Sequence, residues 1–398
     1  MFRHLLKLIW KRKGRNLMLS LEILIAFVIV FAIAACAVHY LQLYRLPIGF
    51  QPQDVWSVEI RGGGSGRELD AATYERFRRG IKELEQVREA GFTTAAPYMS
   101  HTTRTAFTSP ANNRRVRTEL LETSDEFFAT LKIALLEGRA FERSDDGAGT
   151  TPVVINRRLA RELFGEQPAV GKVFSKGSAD NKAAPMMKVV GVIDSLRQKG
   201  ELDSPFNFAL VRHKAGSERG PRVMLLKMVP GSTRADEEII SRKLNQIDNQ
   251  FSYEIAPLDS LRKSMLSSQL MPLLILSVIA AFMLLMVALG LFGVLWKNTT
   301  RRIPEIGLRR AIGANAGDIY RQIIGEQLLL SSGAIGIGLL LLVQLPLTGA
   351  LGERLNWNVF LAAAALSMAV IYLLSLLCSL YPGWRASRLS PTAALHYE

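Results

Sequence analysis

The residues of this chain best suited to metal, nucleophilic or phosphate chemistry are five histidines, two cysteines and one glycine run. Their spacing supports none of the three. His4, His39, His101, His213 and His396 never fall at ligand spacing, and neither Cys36 nor Cys378 joins them, so no zinc-type donor set forms. The run Gly62-Gly63-Gly64-Ser65-Gly66 lacks the Lys-Ser/Thr ending with which a phosphate loop grips nucleotide and Mg²⁺. Arg67 stands where a nucleophile elbow needs its closing glycine. The run therefore reads as a flexible turn. No Ser/His/Asp set can be assembled, and Asp145-Asp146 reads as loop solvation. No catalytic residue, metal site or bound cofactor is expected on this chain.

Chemistry of another kind lies in residues 301–330, RRIPEIGLRRAIGANAGDIYRQIIGEQLLL. Pro304 suits a first helical turn, where its missing N–H costs nothing. Glu305 lies in that turn, where the helix dipole favours an anion. Ile306, Gly307, Leu308, Arg309, Arg310 and Ala311 continue the helix for about two turns, and Gly313 with Ala314 supplies the stop. A second helix starts at Asp318. A short helix of this kind lies along a membrane surface. Its small and apolar residues can enter a groove on a soluble protein while its arginines meet acidic groups or lipid phosphates. The alternative is a helix that anchors to lipid headgroups alone.

Apolar runs position this segment. Residues 17–41, 268–296, 325–347 and 359–381 each approach or exceed the roughly 20 residues that cross a bilayer as a helix. The 398-residue chain carries a net charge of +14 and a mean hydropathy of +0.16, and the positive charge is localised. Arg3, Lys7, Lys11, Arg12, Lys13 and Arg15 precede the first run. Lys297, Arg301, Arg302, Arg309, Arg310 and Arg321 lie between the second and third. Arg385 and Arg388 follow the fourth. The positive-inside rule then puts both termini (1–16 and 382–398) and the loop 297–324 in the cytoplasm, and residues 42–267 outside. Topology accounts for the charge, so nucleic acid is not expected as a partner.

Phe2, Leu5, Leu6 and Ile9 fall at i, i+3, i+4 and i+7, which makes residues 1–16 a short amphipathic helix for membrane lipid. Ile33-Ala34-Ala35-Cys36 resembles a bacterial lipoprotein processing site; the other reading is that small residues here let two spans pack closely. Glu22, about one turn inside the first run, either snorkels toward Arg15 or Arg12 or meets a basic residue of a neighbouring span.

The intervening block lacks cysteine, which rules out a disulfide framework there. It alternates strand-like segments (54–60, 151–156, 188–194 and 222–229) with helical ones (69–89, 157–164 and 235–249), and 255–267 leads back to the second run. In 222–229, Val223, Leu225 and Lys227 alternate with Met224, Leu226 and Met228, which suits a strand buried on both faces. The expected fold is an α-helical membrane protein with four transmembrane helices and a mixed α+β extracytoplasmic domain inserted between helices 1 and 2.

The 301–330 segment closely resembles the signature loop of FtsX-like, or MacB-like, ABC transporter permeases, in which a run like REIGxxRAxGAxxxDI precedes the third span. Glu305, Ile306, Gly307, Arg310, Ala311, Gly313, Ala314, Asp318 and Ile319 stand in register, with Glu326 beyond them. Pro304 departs from the basic residue usual there. The tail Tyr381-Pro382-Gly383-Trp384-Arg385-Ala386-Ser387-Arg388, with Pro391, Ala394 and Leu395, is similar to the family's ending. In the outer block, Phe127, Phe128, Leu136, Gly138, Arg139 and Phe141 resemble a "YF…LLxGRxF" stretch. Pro152 to Asn156, Leu163-Phe164, Val170-Gly171-Lys172 and Val189-Val190-Gly191-Val192 resemble a "PVVV…LF…GK…VVGV" series.

The resemblance implies a permease subunit in a bacterial inner membrane. It carries no Walker motif, so ATP and Mg²⁺ belong to cytoplasmic ABC ATPase subunits, which dock on Glu305 to Ala314. A second permease, identical or not, pairs through spans one and two, where Ala32, Ala34, Ala35, Ala280 and Gly290 permit close approach. ATP-driven movement then reaches the outer domain by mechanotransmission and serves export or efflux, with room for a periplasmic adaptor. Two alternatives stand beside this: a regulatory permease that controls a cell-wall hydrolase, and a membrane-anchored sensor or scaffold without an ATPase.

Overall fold

The computed structural model describes residues 13–62, 69–100, 102–109, 113–147, 149–176, 186–213, 221–350 and 352–388. The expected helix over residues 1–12, the glycines 63, 64 and 66, His101, and the tail with Pro391, Ala394, Leu395 and His396 lie outside them. The chain divides into two compact units. One comprises Met1–Gln42 with Leu270–Glu398, the other Leu43–Gln269.

Helix α1 (Lys13–Tyr44) opens the described chain. The outer unit follows in the order β1 (Val55–Gly62), α2 (Ala71–Lys82), β2 (Val87–Thr93), β3 (Thr103–Thr108), β4 (Arg115–Thr123), α3 (Phe127–Leu131), β5 (Leu135–Gly138), β6 (Thr151–Asn156), α4 (Arg157–Phe164), β7 (Val173–Lys176), β8 (Met186–Ile193), β9 (Phe208–Arg212), β10 (Val223–Met228), α5 (Arg234–Ile247) and β11 (Phe251–Pro257). Strands β11-β1-β10-β2 form an antiparallel sheet, which meets β4 at Thr93 and Thr123. The strands β4-β3-β7-β8-β6-β9 close on themselves, because β9 pairs back to β4 in parallel. Closure removes the exposed edges that an open sheet would leave.

Strand β10 shows why the sheet sits where it does. Met224, Leu226 and Met228 pack with Trp56, Val58, Ile60, Phe77 and Leu244 under α2 and α5. Val223 and Leu225 point the other way, into a core shared with Phe127, Leu131 and Leu210. The two-faced alternation in the sequence is thus a strand between two cores. Lys227 escapes burial by donating to the Gln53 carbonyl at 2.5 Å. A third core fills the closed barrel, with Phe107, Val153, Ile155, Val189 and Ala209 against Leu159 and Leu163 of α4.

Local signals set the helix starts. Asp70 accepts from the Thr73 amide at 2.8 Å to begin α2. Asn156 accepts from the Leu159 amide at 3.0 Å to begin α4, and its amide group also donates to Phe206. The helix expected over residues 69–89 stops early, at Lys82. The following VREAGFT is strand β2, paired with β10 from Val87 to Thr93. Its charged residues suit a helix surface, but Ala90 and Phe92 are buried under α2 and α5. Tertiary packing overrides propensity here.

The helical unit contains α1 up to Gln42, α6 (Leu258–Arg301) from Leu270 onward, α7 (Ile303–Ala311), α8 (Ala316–Leu342), the short α9 (Gln344–Thr348) and α10 (Trp357–Ser387). Among the described residues, four helices are long and apolar enough to cross a membrane: Leu17–Tyr44, Leu258–Arg301, Ala316–Thr348 and Trp357–Ser387. Their common core joins Ile23 and Phe27 of α1, Leu291 of α6, Ile335 of α8 and Ala363 and Ile371 of α10. Helices α8 and α10 are tied by Ser331–Ser375 (2.8 Å) and Ser332–Tyr372 (2.9 Å) hydroxyl bonds, the kind of polar glue used where no hydrophobic force drives association. Gly338 lets α8 approach α1, since a Cβ there would lie 2.6 Å from the Phe27 ring. Helix α6, by contrast, exposes Leu274, Ile275, Val278, Phe282, Leu285 and Leu289.

Candidate functional site

The elbow between α6 and α8 is built from the short helix α7. Pro304 occupies its first turn. At its end Gly313 adopts φ +107°, and the Gly313 and Ala314 amides bond to the Arg310 and Arg309 carbonyls at 3.1 and 3.0 Å. This is a Schellman stop, which needs a residue tolerant of positive φ. Helix α8 begins with a reciprocal cap between Asn315 and Asp318.

Five side chains lock the elbow in a closed circuit. Arg302 donates to Glu305 (3.2 Å) and Glu326 (2.7 Å), Arg309 donates to Glu305 (2.7 Å) and Gln322 (2.7 Å), and Gln322 donates to Glu326 (2.9 Å). Arg302 retains only 13% of its side-chain exposure. Burial works against its charge, but the bonds to Glu326 and Glu305 outweigh this and raise its pKa above the ordinary arginine value. On the inner side, Ile306 packs with Ile319, Ile323 and Ala386, and Gly307 is buried. Arg310 donates to the Ser387 carbonyl at 2.9 Å, tying α7 to the end of α10. Beside it, Trp296 and Tyr381 stack within 4° of parallel, and Arg385 covers the Trp296 ring at 4.3 Å.

What remains on the outer side is apolar. Pro304, Leu308, Ala311 and Ile312 are exposed at i, i+4, i+7 and i+8, with Leu308 at 55% and Ile312 at 78%. The residues expected to couple therefore divide into four groups. Glu305 and Arg309 belong to the circuit, Ile306, Gly307 and Arg310 face inward, and Leu308 and Ala311 face outward. Gly313 and Ala314 set the helix end. Arg302, Gln322 and Ile312 lie outside the expected coupling set. The i, i+3 and i, i+4 spacing of Arg302, Glu305 and Arg309, and of Gln322 and Glu326, is the signal that could have found the circuit.

The span-packing residues separate too. Ala32 is exposed, Ala34 and Ala35 pack against the helical core, and Ala280 is buried. Gly290 faces the Glu22 carboxylate, whose Oε1 would lie 2.6 Å from a Cβ there. Glu22 thus meets a glycine of α6; the side chains of Arg12 and Arg15 lie outside the described residues. His213 is nearly buried, with its ring 5.1 Å from that of Tyr74. Asp145 and Asp146 are ion-paired to Arg139 and Arg212, so they do more than solvate a loop.

Residues 18–235 match the MacB-like periplasmic core domain, and residues 277–391 match the FtsX-like permease C-terminal domain. "Macrolide export ATP-binding/permease protein MacB" of Chromobacterium violaceum is 27% identical over 296 residues, covering 72% of this chain and 44% of that protein. "Uncharacterized ABC transporter permease YknZ" of Bacillus subtilis is 24% identical over 281 residues, covering 69% of each. The crystal structure of the periplasmic region of MacB from Actinobacillus actinomycetemcomitans aligns with 56% of this chain and 97% of its own at 12% identity, with a TM-score of 0.39. The chain thus spans less than half the length of the MacB protein it matches, over the permease part. With the core-domain match covering more than half of its residues and the permease match following it, the chain belongs to the MacB-like, FtsX-like family of ABC transporter permeases.

Proposed function

We propose that this chain is the mechanical half of an ABC export system. A cytoplasmic ATPase docks on α7, and ATP-driven closure of two ATPases moves two paired permeases. The outer unit, on the far side of the bacterial inner membrane, changes shape around cargo handled there. Both termini face the cytoplasm on this reading. One observation carries it above the others: α7 offers an apolar knob on a mounting braced by side-chain bonds. Pro304, Leu308, Ala311 and Ile312 are bare, while the Arg302–Glu305–Arg309–Gln322–Glu326 circuit fixes the helix from behind. A bare apolar face stabilises contact with a groove, and a rigid mounting transmits displacement instead of absorbing it. The mostly exposed α6 supports pairing with a second permease along that helix. Export is the activity named for the MacB relative; the efflux role here follows that likeness.

The test is ATP turnover by the reconstituted complex. Gly307→Trp should force α7 off its seat, and Arg310→Glu should break its tie to α10. Both are expected to abolish permease-coupled turnover while leaving membrane insertion intact. Wild-type turnover in both variants refutes the docking role.

A further inference from the structure

The outer unit contains a buried loop, residues 195–203, that the family motifs above do not include. Two segments converge on it. One is the stretch that follows α1, around Leu46 to Phe50. The other is the first turns of α6, around Leu258 to Met265. We propose that this loop is the joint at which the outer unit grips both of its membrane connectors, with Arg197 and Glu201 as the positioning residues. The proposal rests on the coupling reading above and names where the motion enters the outer unit.

Arg197 is only 1% exposed. Its guanidinium donates to three main-chain carbonyls: Leu46 (2.9 Å), Asp203 (2.9 Å) and Glu201. Its own amide donates to the Ile48 carbonyl at 3.0 Å. The connector therefore meets the loop at two successive points. Gly49 completes the fit at φ +89°, where a Cβ would lie 1.8 Å from the Ser195 carbonyl oxygen. On the other side, Glu201 is 7% exposed and accepts from Arg262 of α6 at 2.6 Å. Tyr98 braces the loop from within the unit. Its amide donates to the Gln198 carbonyl at 2.7 Å, and its ring lies over Gly200, where a Cβ would be 2.6 Å away. Leu196, Phe50, Tyr98 and Leu258 share one apolar core, with Ile48, Leu261 and Met265 against it.

The residue types argue for positioning over simple filling. Burial opposes the Arg197 charge and lowers its pKa, and the Asp203 and Glu201 charges offset part of that effect. An apolar side chain of similar volume would fill the space without a desolvation cost. What arginine adds is a planar fork of donors that fixes several acceptors in one geometry. A filler does not require that, whereas a joint carrying displacement does.

The test uses the full chain in nanodiscs with its co-purified ATPase, followed by hydrogen–deuterium exchange with and without MgATP and vanadate. In the wild type, ATP is expected to change exchange in the connectors (43–51 and 258–265) and in β6 and β10 together. Glu201→Gln and Arg262→Gln are expected to leave the connector response intact. The response of β6 and β10 should fall by about 2- to 30-fold, the range for substitutions that alter coupling between sites. Arg262→Lys should restore part of it, and the Glu201→Gln, Arg262→Gln double variant should lose no more than either single one. Arg197→Lys keeps the charge but not the three-way bond, and should act alike; should it fail to fold, the Glu201 and Arg262 variants carry the test. A wild-type response retained in full by the Glu201 and Arg262 variants overturns the joint alone. A wild-type outer unit that does not respond to ATP overturns the coupling reading and the joint with it.

Discussion

Arg302 and Glu326, 24 positions apart, meet at 2.7 Å and bind the start of α7 to the third turn of α8. The contact closes the circuit of five side chains behind the coupling helix. It also explains why the arginines of this loop differ in role from simple partner-binding charges. Arg302, Arg309 and Arg310 all donate within the chain, and the face that α7 leaves bare is apolar.

The circuit should be separable from the docking face. Replacing Glu326 by Gln keeps the shape but removes the charge that Arg302 meets, and hydrogen bonds to charged groups contribute about 1.5–3 kcal/mol. We expect Glu326→Gln to raise amide exchange across Ile303 to Gly313 in the full chain, with little change in the outer unit. Unaltered exchange in that segment would show that the circuit does not hold the helix.

Leu308 and Ile312 test the face itself. Both side chains are exposed, so Leu308→Glu and Ile312→Glu should change stability by no more than about 0.5 kcal/mol. ATPase binding, measured by co-purification, should be lost in the double variant. Retained binding would assign the face to lipid headgroups.

Gly313 sets where α7 ends. A non-glycine residue at its positive φ costs about 1–2 kcal/mol, so Gly313→Val should lower the melting temperature of the full chain and loosen the start of α8. An unchanged melting curve would mean that the Schellman stop is dispensable.

Acid should weaken the outer unit. The hydrogen bonds from Arg139 hold the Asp145 carboxyl below its ordinary pKa, and those from Arg212 do the same for Asp146. A depressed carboxylate contributes stability that is fully present above its unfolded value. That contribution is lost as pH falls through the lower folded value, below about pH 4. Thermal unfolding of the full chain should therefore steepen its pH dependence there, and Asp145→Asn should flatten it. An equal slope in both proteins contradicts this assignment.

Much of the elbow was readable in the sequence because its signals are local. Pro304, Glu305 and Gly313 each state a helix position through backbone chemistry that no distant residue alters. The Arg302–Glu326 contact was hidden, since it needs α7 folded back against α8. Strand β2 was hidden for a similar reason: its charged residues mimic a helix surface, and only β10 reveals the pairing. The closed barrel depends on β3 and β7, each too short to show a clear alternation, and on the parallel return of β9 to β4. The joint at Arg197 was equally silent, because a lone arginine in a loop looks solvated until the carbonyls of Leu46, Glu201 and Asp203 surround it.

The most direct measurement concerns Ile312. In a chain with Cys36 and Cys378 replaced by alanine, Ile312→Cys should react with a thiol reagent only from the cytoplasmic side of sealed vesicles. It should also crosslink to the ATPase subunit. Labelling by an impermeant reagent from the outer face, without a crosslink, contradicts the account.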